Sequence, residues 1–180
     1  SEARHRVLVI HPTTTGFLFA RRGADTPELA KMREDTARLT QFLADRQVDY
    51  DFGDEYVLEW FGKVEGKKFR VGKASYDLIV LSHDVANLRR QTVPLLEAWL
   101  KEGGTVLCMA EVPAYVDGRE SDALQKLREQ FGKQWVRIFD EDGLLAAIRE
   151  RLPARIQINA PVGFLERWLP NGDRILFLAN

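Results

Sequence analysis

At 180 residues, with 45% hydrophobic and 29% charged side chains, the chain has the profile of one soluble globular domain able to bury its own core. A formal net charge of −1 excludes a global field that would draw it to nucleic acid or to an anionic membrane. One cysteine, Cys108, excludes an internal disulfide and a cysteine-based zinc cluster, and the longest uncharged stretch near the start, residues 7–20, is too short and too broken by Pro12 and Gly16 to span a bilayer.

Residues 6–10 (RVLVI) are an apolar run between a charged tail and His11-Pro12, which predicts a fully buried first strand. Residues 13–16 follow as a loop. Thr26-Pro27-Glu28 is a helix start: Thr26 offers an N-cap hydroxyl, and Pro27 needs no N–H at the first helical position. Leu29, Met32, Thr36, Leu39, Phe42 and Leu43 then recur at helical spacing. Residues 48–52 predict the second strand, broken by Gly53. Residues 55–61 predict a short helix stopped by Gly62, and residues 63–71 a small hairpin turning at Glu65-Gly66-Lys67.

Residues 76–81 (YDLIVL) predict another buried strand, ended by Ser82-His83-Asp84. Residues 92–101 form an amphipathic helix with Val93, Leu96, Trp99 and Leu100 toward the core, ended by Gly103-Gly104. Residues 105–110 predict the next strand. Ser121-Asp122 cap a helix running to Gln130, residues 135–139 predict a fifth strand, and residues 142–152 a further helix. Residues 155–159 read as β, followed by a hairpin through Trp168 and Phe177.

Strands alternate with helices, and the strand runs lack polar alternation. That combination predicts a mainly parallel sheet covered by helices on both faces. Right-handed crossovers make it an α/β doubly wound sheet, and five strands favour the flavodoxin-like order 2-1-3-4-5. We expect residues 1–160 to form this α/β domain and residues 161–180 a C-terminal β-hairpin leading to a downstream domain. The reason is that the apolar run Ile175, Leu176, Phe177 and Leu178 stops without a polar tail, as in a module cut from a longer polypeptide. No signal or transit peptide is visible in the sequence.

In such sheets, ligands bind beyond the carboxyl ends of the strands, beside the switch point. That selects the loops at 11–16, 51–55, 83–88 and 111–117. His11, Asp51, Asp54, Glu55, His83, Asp84 and Glu111 are therefore the candidate ligand or rim residues. Imidazole and carboxylate can coordinate metals and can exchange protons near neutral pH. The same residue types also terminate strands and cap helices, so a purely structural reading stands beside the functional one. No catalytic residue, metal or cofactor is assigned.

Other chemistries lack their signatures. The loop after the first strand holds one glycine, where a dinucleotide fingerprint needs three, and no Gly-Lys-Ser/Thr occurs. The Thr13, Thr14 and Thr15 hydroxyls could hold a flavin phosphate, but no helix is expected directly behind them. Cys108 lies in Val-Leu-Cys-Met-Ala without the flanking glycines of a nucleophile elbow, and reads as a small apolar strand residue. No Gly-x-Ser-x-Gly occurs either. Arg89-Arg90 and Lys67-Lys68 read as solvated faces, with no aromatic interleaving of a nucleic-acid surface. Trp60-Phe61 reads as packing over the sheet edge, or else as a sugar-stacking platform or domain contact.

Several strings together resemble a known family: residues 7–15 (VLVIHPTTT), 51–55 (DFGDE), 69–81 (FRVGKASYDLIVL), 87–89 (NLR), and Leu100 through Gly103-Gly104-Thr105-Val106. They resemble the glutamine-amidotransferase-like, or β-galactosidase trimerisation-like, domain that follows the catalytic barrel in multidomain glycoside hydrolases, nearest to the α-L-rhamnosidase group. Residues 173–180 resemble the strand leading into a downstream β-sandwich. In these families the catalytic carboxylates lie on the barrel, so the resemblance implies an accessory module. Its partners would be the barrel and β-sandwich of the same chain, carbohydrate, or further copies in a homo-oligomer. Its partner surface would expose apolar residues, with the 17–19 segment, Trp60-Phe61 and the terminal hairpin as candidates. Two rival readings remain open. One is a free-standing hydrolase using His11, His83 and the 51–55 loop. The other is a flavin or small-ligand binding module.

Overall fold

The computed structural model describes residues 5–20, 25–109, 111–154 and 163–179. In chain order its elements are β1 (Val7–Ile10), α1 (Thr13–Phe19), α2 (Pro27–Asp45), β2 (Tyr50–Gly53), α3 (Glu55–Phe61), β3 (Gly62–Glu65), β4 (Lys68–Val71) and β5 (Ala74–Tyr76). There follow β6 (Leu78–Leu81), β7 (Asn87–Leu88), α4 (Thr92–Lys101), β8 (Val106–Cys108), β9 (Tyr115–Val116), β10 (Arg119–Glu120) and α5 (Ala123–Gln130). The last are β11 (Trp135–Arg137), α6 (Glu141–Arg151), β12 (Gly163–Trp168) and β13 (Arg174–Ala179).

Five parallel strands form the central sheet in the order β2-β1-β6-β8-β11. By order of appearance this is the expected 2-1-3-4-5 arrangement. Every residue of β1 and β6 is buried, which explains why neither run alternates. Successive side chains of a strand point to opposite faces. Leu8 and Ile10 accordingly pack with Leu58, Leu96, Trp99 and Leu124 on the face of α3, α4 and α5. Val7 and Val9 pack with Leu39, Leu43, Leu144 and Ile148 on the face of α2 and α6. Ile10 aligns with Gly53 and Leu81, so β1, β2 and β6 end at one level and deliver their following loops to one edge.

The local signals at α2 and α4 hold. Thr26 Oγ1 accepts from Leu29 N–H at 3.3 Å, and Pro27 opens α2. Residues 13–16 depart from expectation, because they are the first turns of α1 and not a loop. Their β-branched threonines and Gly16 are weak helix formers. Tertiary contacts override that preference: Thr14 and Thr15 are buried and hydrogen-bonded to other segments. The fifth strand stops at Arg137, leaving Phe139 exposed. The 63–71 hairpin gains a third strand, β5, so Tyr76 belongs to this small sheet and the central strand begins at Leu78. An unexpected second small sheet, β10-β9-β7, turns at Asp117-Gly118, both with positive φ. Asp-Gly is a turn pair that accommodates this backbone. The C-terminal β12–β13 hairpin is present, whereas the β reading of residues 155–159 lies outside the described residues. No described helix is long and apolar enough to cross a membrane.

Candidate functional site

The seven candidate residues do not gather into one constellation. At the edge above β1 and β2, His11 Nδ1 lies 2.7 Å from Thr13 Oγ1, whose hydroxyl lies 3.4 Å from Asp54 Oδ2. Asp54 is also the N-cap of α3, accepting from Tyr56 N–H at 2.9 Å. The His11 ring meets Phe52 edge-on at 5.2 Å. This chain of contacts is the part of the predicted edge that assembles.

Glu55 turns inward. It is 1% exposed and accepts three hydrogen bonds: from Thr14 Oγ1 at 2.5 Å, Thr92 Oγ1 at 2.5 Å and Arg89 N–H at 2.8 Å. Burial pushes its carboxyl above the usual range, opposed by these donors. Thr15 Oγ1 completes the buried knot by accepting from Ala86 N–H and Asn87 N–H, both at 3.0 Å. The Thr14 and Thr15 hydroxyls of α1 are thus spent on the protein interior. The helix does follow β1 closely, contrary to the sequence expectation, yet Thr14 and Thr15 face Glu55 and Asn87 rather than a ligand phosphate.

Asp84 meets a different partner. Its carboxyl sits against Asp35 of α2, which is itself paired with Lys31 and with Arg38 at 2.7 Å. Arg38 also reaches Glu141 of α6 at 3.1 Å. Burial, and then the charge of Asp35, push Asp84 up to about 6. Burial raises Asp35 as well, but its two cations outweigh that and hold it below the ordinary value. His83 adds its field to Glu141. This cluster belongs to the α2 and α6 face, whereas the Glu55 knot belongs to α1, α3 and α4.

Two candidates lie elsewhere. Asp51, in mid-strand opposite Leu8, accepts from Tyr76 Oη at 2.8 Å and pairs with His5 Nδ1 at 2.6 Å. His5 precedes β1, and Tyr76 ends β5 just before β6, so the Asp51 carboxylate serves the amino end of the central sheet and not the carboxyl edge. Position along the strand is the reason: Asp51 is the second residue of β2, two residues (roughly 7 Å) short of its carboxyl end. Glu111 is fully exposed and forms an ion pair with Arg137 at 2.6 Å. Among the described residues, no group of three His, Cys, Asp or Glu side chains is placed to hold a metal ion. Cys108 is buried in β8, with Sγ 3.9 Å from the Glu111 carbonyl.

A cleft of about 330 Å³ opens beside the Glu55 knot, between α1, α3 and the β9–β10 turn. Phe17, Leu18 and Tyr56 form its apolar rim, and Asn87, Arg89, Asp117 and Gly118 its polar wall. The Arg89 guanidinium pairs with Glu59 and stacks 4.0 Å over the Tyr56 ring.

The sequence matches no family model and no curated protein. The fold is shared with two much larger solved chains. One is the exo-carrageenase GH42 from Bacteroides ovatus, with a TM-score of 0.57, 16% identity, and coverage of 94% of this chain and 20% of that one. The other is a rhamnosidase from Novosphingobium sp. PP1Y, with a TM-score of 0.57, 15% identity, and coverage of 99% of this chain and 17% of that one. This chain therefore spans a fifth or less of either. The likeness is a distant structural one, to flavodoxin-like domains associated with glycoside hydrolases.

Sequence reasoning passed over Arg89, Tyr56 and Asp117. The solvated-face expectation for Arg89-Arg90 holds only for Arg90, exposed beside Asp117, whereas Arg89 is largely covered against Glu59 and Tyr56. The usable signal was Asp117-Gly118, a turn pair that folds a hairpin back over the 87–89 segment.

Proposed function

We propose that this chain is a non-catalytic accessory domain of a larger glycoside hydrolase of the α-L-rhamnosidase group. It packs beside the catalytic barrel and shapes either the active-site rim or an oligomer interface. Residues 1–160 are the α/β unit, and residues 161–180 a hairpin that leads toward a β-sandwich. The observation that carries this reading is the fold shared over 94–99% of this chain with 17–20% of two chains titled carrageenase and rhamnosidase.

Two further features support it. Val57, Trp60 and Phe61 of α3 are exposed, as are Ile175, Leu176, Phe177 and Leu178 of the hairpin. Apolar exposure on this scale suits surfaces that another domain covers. Two acids of the predicted loop have structural partners: Glu55 joins α3 to α1 and α4, and Asp54 caps α3.

An antibody against this domain should detect, in source lysate, a polypeptide several-fold larger than 20.6 kDa. A band near that mass would overturn the proposal. The purified 180-residue chain should release no nitrophenol from aryl α-L-rhamnosides or β-galactosides. Turnover that disappears in His83→Ala or Glu55→Gln would instead establish a free-standing hydrolase.

A further inference from the structure

We propose that the cleft between α1, α3 and the β9–β10 turn binds a neutral saccharide. Its volume, about 330 Å³, lies at the small end of the range for ligand clefts and suits a monosaccharide unit. The rim offers two rings. Phe17 is 60% exposed, and Tyr56 is 42% exposed, with Arg89 over one of its faces. Exposed rings of this kind present flat apolar surfaces to the C–H faces of a sugar, while the polar wall meets its hydroxyls.

The electrostatics select an uncharged ligand. Arg89 is neutralised by Glu59, and Asp117 by Arg90 at 3.1 Å, so each charge facing the cleft already has its counter-charge. An anionic ligand would have to displace Glu59 from Arg89. Hydrogen-bonding capacity nevertheless remains: the partly exposed Asp117 carboxylate takes one contact on each oxygen, from the Arg90 side chain and the Arg90 N–H, and keeps further lone pairs. A sugar hydroxyl can donate to those oxygens without displacing Arg90. The wall is also held in place. Asn87 Oδ1 accepts from Gly118 N–H at 2.8 Å, and Leu88 carbonyl accepts from Asp117 N–H at 2.9 Å, tying the turn to β7. A prearranged wall lowers the ordering cost of binding.

The choice of saccharide among neutral ligands rests on the accessory-domain reading. The test is an amide-resolved NMR titration of the 180-residue chain with methyl α-L-rhamnoside, methyl β-D-galactoside and, as an anion, galacturonate. A neutral glycoside should give saturable shifts at Phe17, Tyr56, Asn87 and Gly118. Phe17→Ala, at an exposed position, should weaken binding by about three- to tenfold, and Phe17→Tyr should retain it. Absence of saturable shifts up to roughly 100 mM, shifts unaffected by Phe17→Ala, or tighter binding of galacturonate would each overturn the site. Binding is read on this chain directly, so failure here leaves the lysate test of the accessory role standing, and a small band there leaves the titration result standing.

Discussion

Glu55 Oε2 accepts a hydrogen bond from Thr92 Oγ1 at 2.5 Å, joining the first residue of α3 to the first residue of α4 inside the core. With Thr14 and the Arg89 N–H on the same carboxyl, one side chain ties α1, α3 and α4 to the segment after β7. Glu55→Gln keeps the shape. Its carbonyl can accept at Oε2, and its amide can donate to Thr14, whose hydroxyl can turn to the Asn87 carbonyl 3.1 Å away. We expect Glu55→Gln to stay within about 1 kcal/mol of the parent, and Glu55→Ala to lose about 2–4 kcal/mol by stranding the Thr92 hydroxyl and the Arg89 N–H. Urea unfolding at neutral pH checks this, and equal losses in both variants would contradict a hydrogen-bonding role.

Asp84 sets a pH dependence. Its folded value, about 6, lies above its ordinary value of 3.8, so the folded state holds the proton more tightly than the unfolded state. Stability from this group is therefore full below about pH 4 and falls as pH rises through 6. Asp35 runs the other way, because its lowered carboxyl contributes stability that disappears only in acid. Asp84→Asn mimics the protonated form. It should raise stability at pH 8 by about 1–2 kcal/mol, after allowance for solvent screening, and show no gain at pH 4. Urea midpoints across that range measure it, and a constant gain at every pH would show that Asp84 does not titrate against Asp35.

Gly104 follows α4 where Trp99 folds back over the chain. A Cβ there would lie 2.1 Å from Trp99 Cδ2 and Cε2. Trp99 is 1% exposed, and its indole N–H donates to the Thr105 carbonyl at 3.0 Å, so the ring has no room to yield. Gly104→Ala should cost about 3 kcal/mol and alter the tryptophan near-ultraviolet dichroism. A loss below about 0.5 kcal/mol would mean that the ring is not packed this way.

Trp60 and Phe61 stand 75% and 56% exposed, with ring centroids 6.5 Å apart. They should make the isolated chain self-associate at high concentration. Trp60→Lys with Phe61→Gln should lower the apparent mass by light scattering and leave stability within about 0.5 kcal/mol. Unchanged scattering would move the sticky surface to the hairpin.

The residues that made the fold legible are those whose meaning is local. The unbroken apolar runs of β1 and β6, the Thr26-Pro27 cap and the helical spacing before Trp99 each signal their element within a few positions. Burial on both faces of the strands then leaves little freedom for the sheet order. The 13–16 segment resisted the same reasoning because its threonines favour other backbone states. Their helical state depends on Glu55 and Asn87, 41 and 72 residues away.

The candidate site divides along the same line. Sequence by itself established which polar residues follow strands, and so brought His11, Asp54, Glu55, His83 and Asp84 to the carboxyl edge. Only the tertiary structure decided that Glu55 faces inward, that Asp84 meets Asp35 of α2, that Asp51 serves the opposite end, and that Arg89 and Asp117 wall a cleft. The physical reason is direction. Strand and helix periods follow from neighbouring residues, whereas the orientation of a side chain at an element's end depends on the distant partners that satisfy its hydrogen bonds and charge.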